Sequence, residues 1–439
     1  MKKIVFYSIA IGVFNLLSCQ KEFLDVKPNK ALVVPTTLTN FQALLDNISI
    51  MNPTPTLNLL TGDEYLIIDN GLQKLSNDVE RDAYLWKTNQ FKIERTLSEW
   101  YKPHQQIFYS NVVLDGLENN KESLSKPNEY NSVKGAALFY RALAFYNLTQ
   151  LFCPAYEEKN AAKTEGIALR LTADVNLQPE KSSLQESYDQ IISDLKLAQQ
   201  LLPERALTKN RPGGHAAIAL LARVFLTMSK YADAEKWASA GLQIDNRLID
   251  YNTVPQGVTA PFPDPLPNNN EELIYAVNKI GYTFGGAGVL RVDNDLLSRF
   301  SDKDLRPKIF FYKPASGAVN NKNYDGLATD ELYLIQAECL VRQGKFEPAA
   351  ALINTLGVNR FQKGSYTPVT FNNETDALNY IILERRKELF GRETIRWSDL
   401  KRLNKDPRFV KNLRRTYNGI EYELNAQSPL YIYPSPIGQ

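Results

Sequence analysis

Two well-separated stretches carry the same order of small and bulky apolar residues. In "IALLARVFLTMSKYADAEKWASAGLQID" the residues Ala222, Phe225, Tyr231, Ala234, Ala238 and Gly241 fall at helical spacing around a short break. In "YLIQAECLVRQGKFEPAAALINTLGVNRF" the register recurs with Ala337, Leu340, Phe346, Ala349, Ile353 and Leu356, and "SKYADA" overlays "GKFEPA" at the break. Small residues at a crossing let two helix axes approach closely, so both stretches are read as tetratricopeptide-type helix pairs. A third unit is split: "VKGAALFYRALAFYNLTQLF" reads as a first helix and "SLQESYDQIISDLKLAQQLLP" as its partner after a long insertion, ending at Pro203. A further amphipathic stretch, "LSEWYKPHQQIFYSNVVLDGLENN", predicts a helix bent or started near Pro103. The expected fold is mainly α, a right-handed superhelical scaffold of such pairs with long irregular loop excursions and minor β structure.

The excursions differ in chemistry from the helices. "DYNTVPQGVTAPFPDPLPNNNEELIYAVNKIGYTFGGAG" is dense in Pro, Asn and Gly, which favours turns. Long loops inside a compact helical protein are usually functional or disordered, and Tyr251, Phe262, Tyr282 and Phe284 argue against disorder. A similar excursion, "KPASGAVNNKNYDG", follows Phe310–Tyr312. The expected organisation is helical repeats over about 97–245 and 328–405, with loop insertions over about 62–96 and 250–325, in one domain spanning 19–439.

The first eighteen residues, "MKKIVFYSIAIGVFNLLS", read as a signal: two lysines, an apolar run too short to span a bilayer, then a small residue. Leu16-Leu17-Ser18 leads into Cys19, an order that resembles a bacterial lipobox, so Cys19 is the expected lipidation site and membrane anchor. With Cys19 acylated, only Cys153 and Cys339 remain, both in apolar helical patterns where buried free thiols are expected. Without Lys2 and Lys3 the rest of the chain has as many basic as acidic residues. That balance argues against a nucleic-acid partner, which would call for a basic excess.

Near the C-terminus, "ALNYIILERRKELFGRETIRWSDLKRL" sets Ile381, Ile382, Leu389, Phe390, Trp397 and Leu400 at roughly helical spacing. Glu384, Arg385, Glu388, Arg396, Asp399 and Arg402 lie among them. Acid and base in such balance satisfy one another, so this cluster is read as a structural ion-pair network rather than an acid/base site.

In its motifs the chain resembles the SusD/RagB family of outer-membrane nutrient-binding lipoproteins of Bacteroidetes. The resemblance runs through "SCQKEFLDVKP", "EWYKPHQQIFYSNVVLDGLE", "GAALFYRALAFYNLTQLF", "SYDQIISDLKLAQQLLP", "DKDLRP", "ERRKELFGRETIRWSDLKRL" and the final "YIYPSPIGQ". It departs at "FGRET", where the family more often has a small-Glu-Gly turn, and in being short for the family, which points to trimmed ligand loops. The resemblance implies a lipid-anchored, surface-exposed protein that captures a glycan and passes it to a SusC-like TonB-dependent transporter. It also leaves open a peptide ligand, as in RagB-like members, or a helical-repeat scaffold without a small ligand.

A sugar presents a C–H ring face and hydroxyl edges, so its receptor needs aromatic platforms beside hydrogen-bonding groups. The stretch around "RDAYLWKTNQ" offers Arg81, Trp86 and Asn89 in a less periodic segment, with Trp86 expected to be exposed. Trp100, at helical spacing with Leu97 and Phe108, is equally open to a core and a ligand role. Tyr282 and Phe284, in "GYTFGGAG", and Tyr312 complete the candidate set. His104 and His215 are far apart and fit neither a metal cluster nor a nucleophile motif, and no pair of acidic residues marks a glycosidase site. The expected protein is a binder, not an enzyme, with no cofactor and no assigned metal-ligating residues.

Overall fold

The computed structural model describes residues 35–67, 70–87, 97–118, 120–262, 269–285, 288–313, 318–319 and 324–435. The expected signal 1–18, the lipidation site Cys19 and the candidate Asn89 lie outside these residues, as does the side chain of Tyr312.

Eleven helices carry the architecture: α1 (Leu38–Leu45), α2 (Asp78–Tyr84), α3 (Ser98–Glu118), α4 (Pro127–Phe152), α5 (Leu184–Leu201) and α6 (Gly214–Thr227) come first. They are followed by α7 (Tyr231–Ile244), α8 (Thr329–Arg342), α9 (Phe346–Val358), α10 (Glu374–Glu388) and α11 (Ile395–Leu403). From α3 to α7 each helix packs on the next, α8 continues the row against α7, and α9 and α10 pack on α8. The two segments of the split unit, α4 and α5, are direct neighbours. Pro103 does not break α3, which begins at Ser98 and runs through it.

The repeated register is visible atom by atom. Ala222, Ala234, Ala337 and Ala349 are all fully buried. A side chain on Gly241 of α7 would meet Leu332 of α8 at 2.6 Å, so glycine there is what lets the two pairs close on each other. The overlaid breaks share one turn geometry. Ser229 and Gly344 both adopt left-handed backbone, with φ of 57° and 76°. The next amide reaches back to the matching carbonyl in each, Lys230 to Phe225 and Lys345 to Leu340, both at 2.9 Å. This is the Schellman closure of a helix C-terminus. At the start of α5 the Ser183 hydroxyl and the Glu186 carboxylate form a reciprocal capping box.

The helical row encloses one apolar core, with Phe139, Tyr146 and Leu220 at its centre. The excursions enclose a second core of their own, which includes Tyr65, Phe311, Trp397 and Tyr433. Part of it is covered by a four-stranded antiparallel sheet ordered Tyr65–Ile67, Leu290–Val292, Ala318–Val319, Phe311–Lys313. This sheet stitches the first excursion to the second.

The charged C-terminal segment is structural. Arg306 contacts Asp304 at 2.6 Å, Glu384 at 2.7 Å and Glu388 at 3.2 Å. Arg360 bridges Glu388 at 2.7 Å and Glu272 at 2.6 Å. Arg402 binds Glu338 at 2.7 Å, and Arg385 binds Asp399 at 2.8 Å. All of these side chains are buried, so each charge depends on its partner for the solvation that water would otherwise supply. Cys153 and Cys339 are buried free thiols, and burial pushes the Cys153 thiol up to about 11.

Candidate ligand cleft

The two excursions meet beside the start of α3 and leave a cleft of about 350 Å³ there. One wall is α2, with its N-cap Asn77 and Glu80; the floor is Leu97 and Ser98; the opposite wall is the turn holding Tyr282 and Thr283. A larger groove of about 570 Å³ lies over α5, lined by Leu169, Ser182, Glu186 and Asp189. It is open and has no aromatic wall, so the smaller cleft is the better ligand site despite its volume.

The walls are fixed by a carboxylate that reaches across them. Glu80, fully buried, accepts the Thr283 amide at 3.0 Å, the Phe284 amide at 2.9 Å and the Thr283 hydroxyl at 2.7 and 2.8 Å. It also accepts Asn77 Nδ2 at 3.1 Å. These bonds hold a single helical turn, Thr283–Gly285, against α2 across a sequence separation of 203 residues. Tyr282 is thereby set in the wall, half-buried, with its ring stacked at 5.8 Å and 13° on the buried ring of Phe284.

Below them lies Glu99, with no solvent exposure. Its Oε1 accepts the Thr56 amide at 2.9 Å and the Leu57 amide at 2.6 Å. Burial raises its carboxyl to about 7 against the pull of those amides and of the Tyr282 hydroxyl. The same burial, with the Glu99 charge beside it, pushes the Tyr282 hydroxyl well above the usual phenol range.

Of the sequence candidates, Tyr282 alone lines this cleft among the described residues. Trp86, expected to be exposed, is a correction: it is 5% exposed, its Nε1 donates to Thr61 O at 3.0 Å, and the Arg415 guanidinium lies 4.3 Å from its ring. The reason is a long-range one. Arg415, buried and with no ion pair to a carboxylate among the described residues, is sandwiched between Trp86 and Tyr84 and donates to the carbonyls of Tyr84 and Gly62. Burial brings its guanidinium down to about 10, still cationic at neutral pH. Phe284 is likewise corrected from platform to support, at 4% exposure behind Tyr282. Trp100 is half-buried, tilted at 32° against His104 at 4.4 Å and edge-on to Phe152 at 4.8 Å. Arg81 pairs with Asp78 and donates to Leu75 O, away from the lining. Tyr312 lies in the strand Phe311–Lys313.

The residues missed from sequence are Asn77, Glu80, Ser98 and Thr283. Asn77 carried one local signal, since an Asn three residues before a Glu at a helix start is a capping pattern. The others are brought together only by tertiary folding.

Comparison with known proteins fits this architecture. A family model described as starch-binding, associating with the outer membrane and SusD-like matches residues 22–226, and the SusD family model matches residues 313–432. The chain belongs to the SusD/RagB family. A SusD-like protein P2 of Formosa agariphila is 26% identical over 409 residues, covering 77% of this chain and 76% of that protein. A SusD superfamily structure from Bacteroides thetaiotaomicron superposes with a TM-score of 0.70 at 20% identity, covering 91% of this chain and 96% of that one. A SusD-like carbohydrate-binding protein from Bacteroides vulgatus gives 0.68 at 19% identity, covering 92% and 96%. At these identities the likeness to the solved structures is one of fold. SusD-family proteins are binders rather than enzymes, and this chain has a SusD-type nutrient-binding role. Among the described residues no helix is long and apolar enough to cross a membrane.

Proposed function

We propose that this SusD-family protein captures a glycan at the cleft between α2, α3 and the Tyr282 turn and hands it to a SusC-like TonB-dependent transporter in the outer membrane. The observation that carries the reading is the Tyr282 ring in the cleft wall. One face is braced by Phe284, and Asn77, Ser98 and Thr283 lie around the same opening with groups able to meet sugar hydroxyls. A braced ring loses little freedom when a sugar stacks on it, which favours reversible capture. The carboxyls nearest the cleft support binding over hydrolysis: Glu80 is filled by amide and hydroxyl donors, and Glu99 Oε1 by two amides. Glu80 is committed to those donors, and Glu99, sealed from solvent, is not placed to activate a water as one of a glycosidase pair.

Glycan and peptide arrays probed with the purified protein identify the ligand class. Tyr282→Ala should then weaken binding of the glycan hit by about 1 kcal/mol or more, about fivefold, with little change in melting temperature. Unchanged affinity would remove the cleft as the site, and hits confined to peptides would move the protein to the RagB-like class.

Surface anchoring is part of the same reading. It rests on the order of charge, apolar run, small residue and Cys19 at the start of the chain. A clickable fatty acid supplied to cells should label the wild type and not Cys19→Ser, and equal labelling of both would refute the anchor.

A further inference from the structure

Two polar atoms beside the cleft have no hydrogen-bond partner although both are buried: Glu99 Oε2 and the Tyr282 hydroxyl. The Tyr282 hydroxyl favours the Glu99 carboxylate as a hydrogen-bond donor would, so the two lie beside each other without the alignment of a full hydrogen bond. Leaving one such atom unsatisfied away from water costs roughly 1–3 kcal/mol, so two that face each other form a contact poised to close. The geometry points to Glu99 as a positioning residue of the cleft, whose free oxygen takes the Tyr282 hydroxyl and so latches the aromatic wall in a proton-dependent way. This rests on the cleft being the ligand site only for its consequence; the latch itself is a property of the unliganded protein.

The direction follows from the chemistry of the pair. A phenol hydroxyl donating to a carboxylate makes a charge-assisted bond, stronger than the neutral bond available to the protonated acid. Glu99 loses its proton around pH 7, so the latch tightens as pH rises through neutrality. Global stability moves the other way. The folded carboxyl is raised above its unfolded value, so the fold holds the proton more strongly and loses stability as pH climbs from the ordinary glutamate value of 4.5 to about 7. The other titratable groups acting on the pair are Tyr433 of the C-terminal turn, Glu80 of α2 and, through Tyr433, Arg415. Glu80 keeps its own bonds to Thr283 and Phe284, so the turn stays attached in both states, and release of the Tyr282 ring shows as more frequent local opening of the turn.

Hydrogen exchange of the unliganded full chain, corrected for intrinsic rates, tests this on the segment 281–285. Protection there should rise several-fold between pH 6 and pH 8.5 in the wild type, while the urea midpoint falls from pH 5 to pH 7. Glu99→Gln keeps an oxygen for the Thr56 and Leu57 amides but cannot ionise, so the local rise should flatten and the fall in midpoint should lessen, its remainder belonging to other buried carboxyls such as Glu388. Tyr282→Phe keeps the ring and Glu99, so the fall in midpoint should persist while the local rise disappears. Equal exchange profiles in the wild type and both variants would overturn the latch, as would a local rise retained in Tyr282→Phe. A glycan affinity lost in Tyr282→Ala alongside a failed latch would leave the binding site standing without it.

Discussion

Arg306→Ala is expected to lower stability by about 3–5 kcal/mol, because it leaves three buried carboxylates without their shared cation. Asp304, Glu384 and Glu388 all end on that guanidinium. Even with Arg306 and Arg360 in place, burial holds the Glu388 carboxyl up at about 7, whereas Glu384 is kept below its ordinary value by Arg306 and Lys387 against the effect of burial. Removing Arg306 drives these acids upward. Their folded values then exceed their unfolded ones, and stability relative to the wild type falls as pH rises through that interval. Urea unfolding at pH 5 and pH 8 should therefore show the larger deficit at pH 8. A variant with the wild-type midpoint at both values would mean that the network does not hold α10 to the Asp304–Phe310 segment.

Trp86→Ala should cost a similar amount, about 3–5 kcal/mol, and should do so through melting rather than through ligand affinity. The substitution removes a buried indole, its bond to Thr61 O and one of the two faces that flank Arg415. It also leaves alanine in a left-handed conformation, since Trp86 has φ of 51°. Trp86→Gly relieves that strain, so it should be the less damaging of the two despite its smaller side chain, by up to about 1 kcal/mol. Thermal melting decides the matter: a Trp86→Ala protein that melts as the wild type does and loses its ligand would restore the exposed-platform reading.

The contrast between Ala222 and Trp86 shows how far sequence alone reaches. Ala222 and its three counterparts were legible because a helix pair repeats every contact at a fixed spacing, so period and burial carry the same information. The Glu/Arg-rich segment of α10 and α11 was legible for a related reason, because its charges balance locally. Trp86 sits in a stretch without period, and its burial is decided by Arg415, which lies 331 residues from Tyr84 in the bond it makes there. Tyr282 and Phe284 lie two residues apart in one glycine-rich loop and end with opposite roles, one in the cleft wall and one behind it. That division is imposed by Glu80, on the other excursion, gripping the amides of Thr283 and Phe284.

Those long spans bear on how the protein is made. Gly62 and Asp63, where the first excursion begins, are held by Arg415, Lys411 and Arg396, at separations of 353, 348 and 333 residues. A chain emerging N-terminus first can build α3 to α7 from neighbouring contacts, but Gly62 and Asp63 wait for α11 and the residues up to the strand Leu413–Tyr417 before their carbonyl and carboxylate are satisfied. A product interrupted before Arg415 would thus carry an assembled helical row and an unfinished first excursion. That order ties completion of the first excursion to translation of the C-terminal residues that hold it.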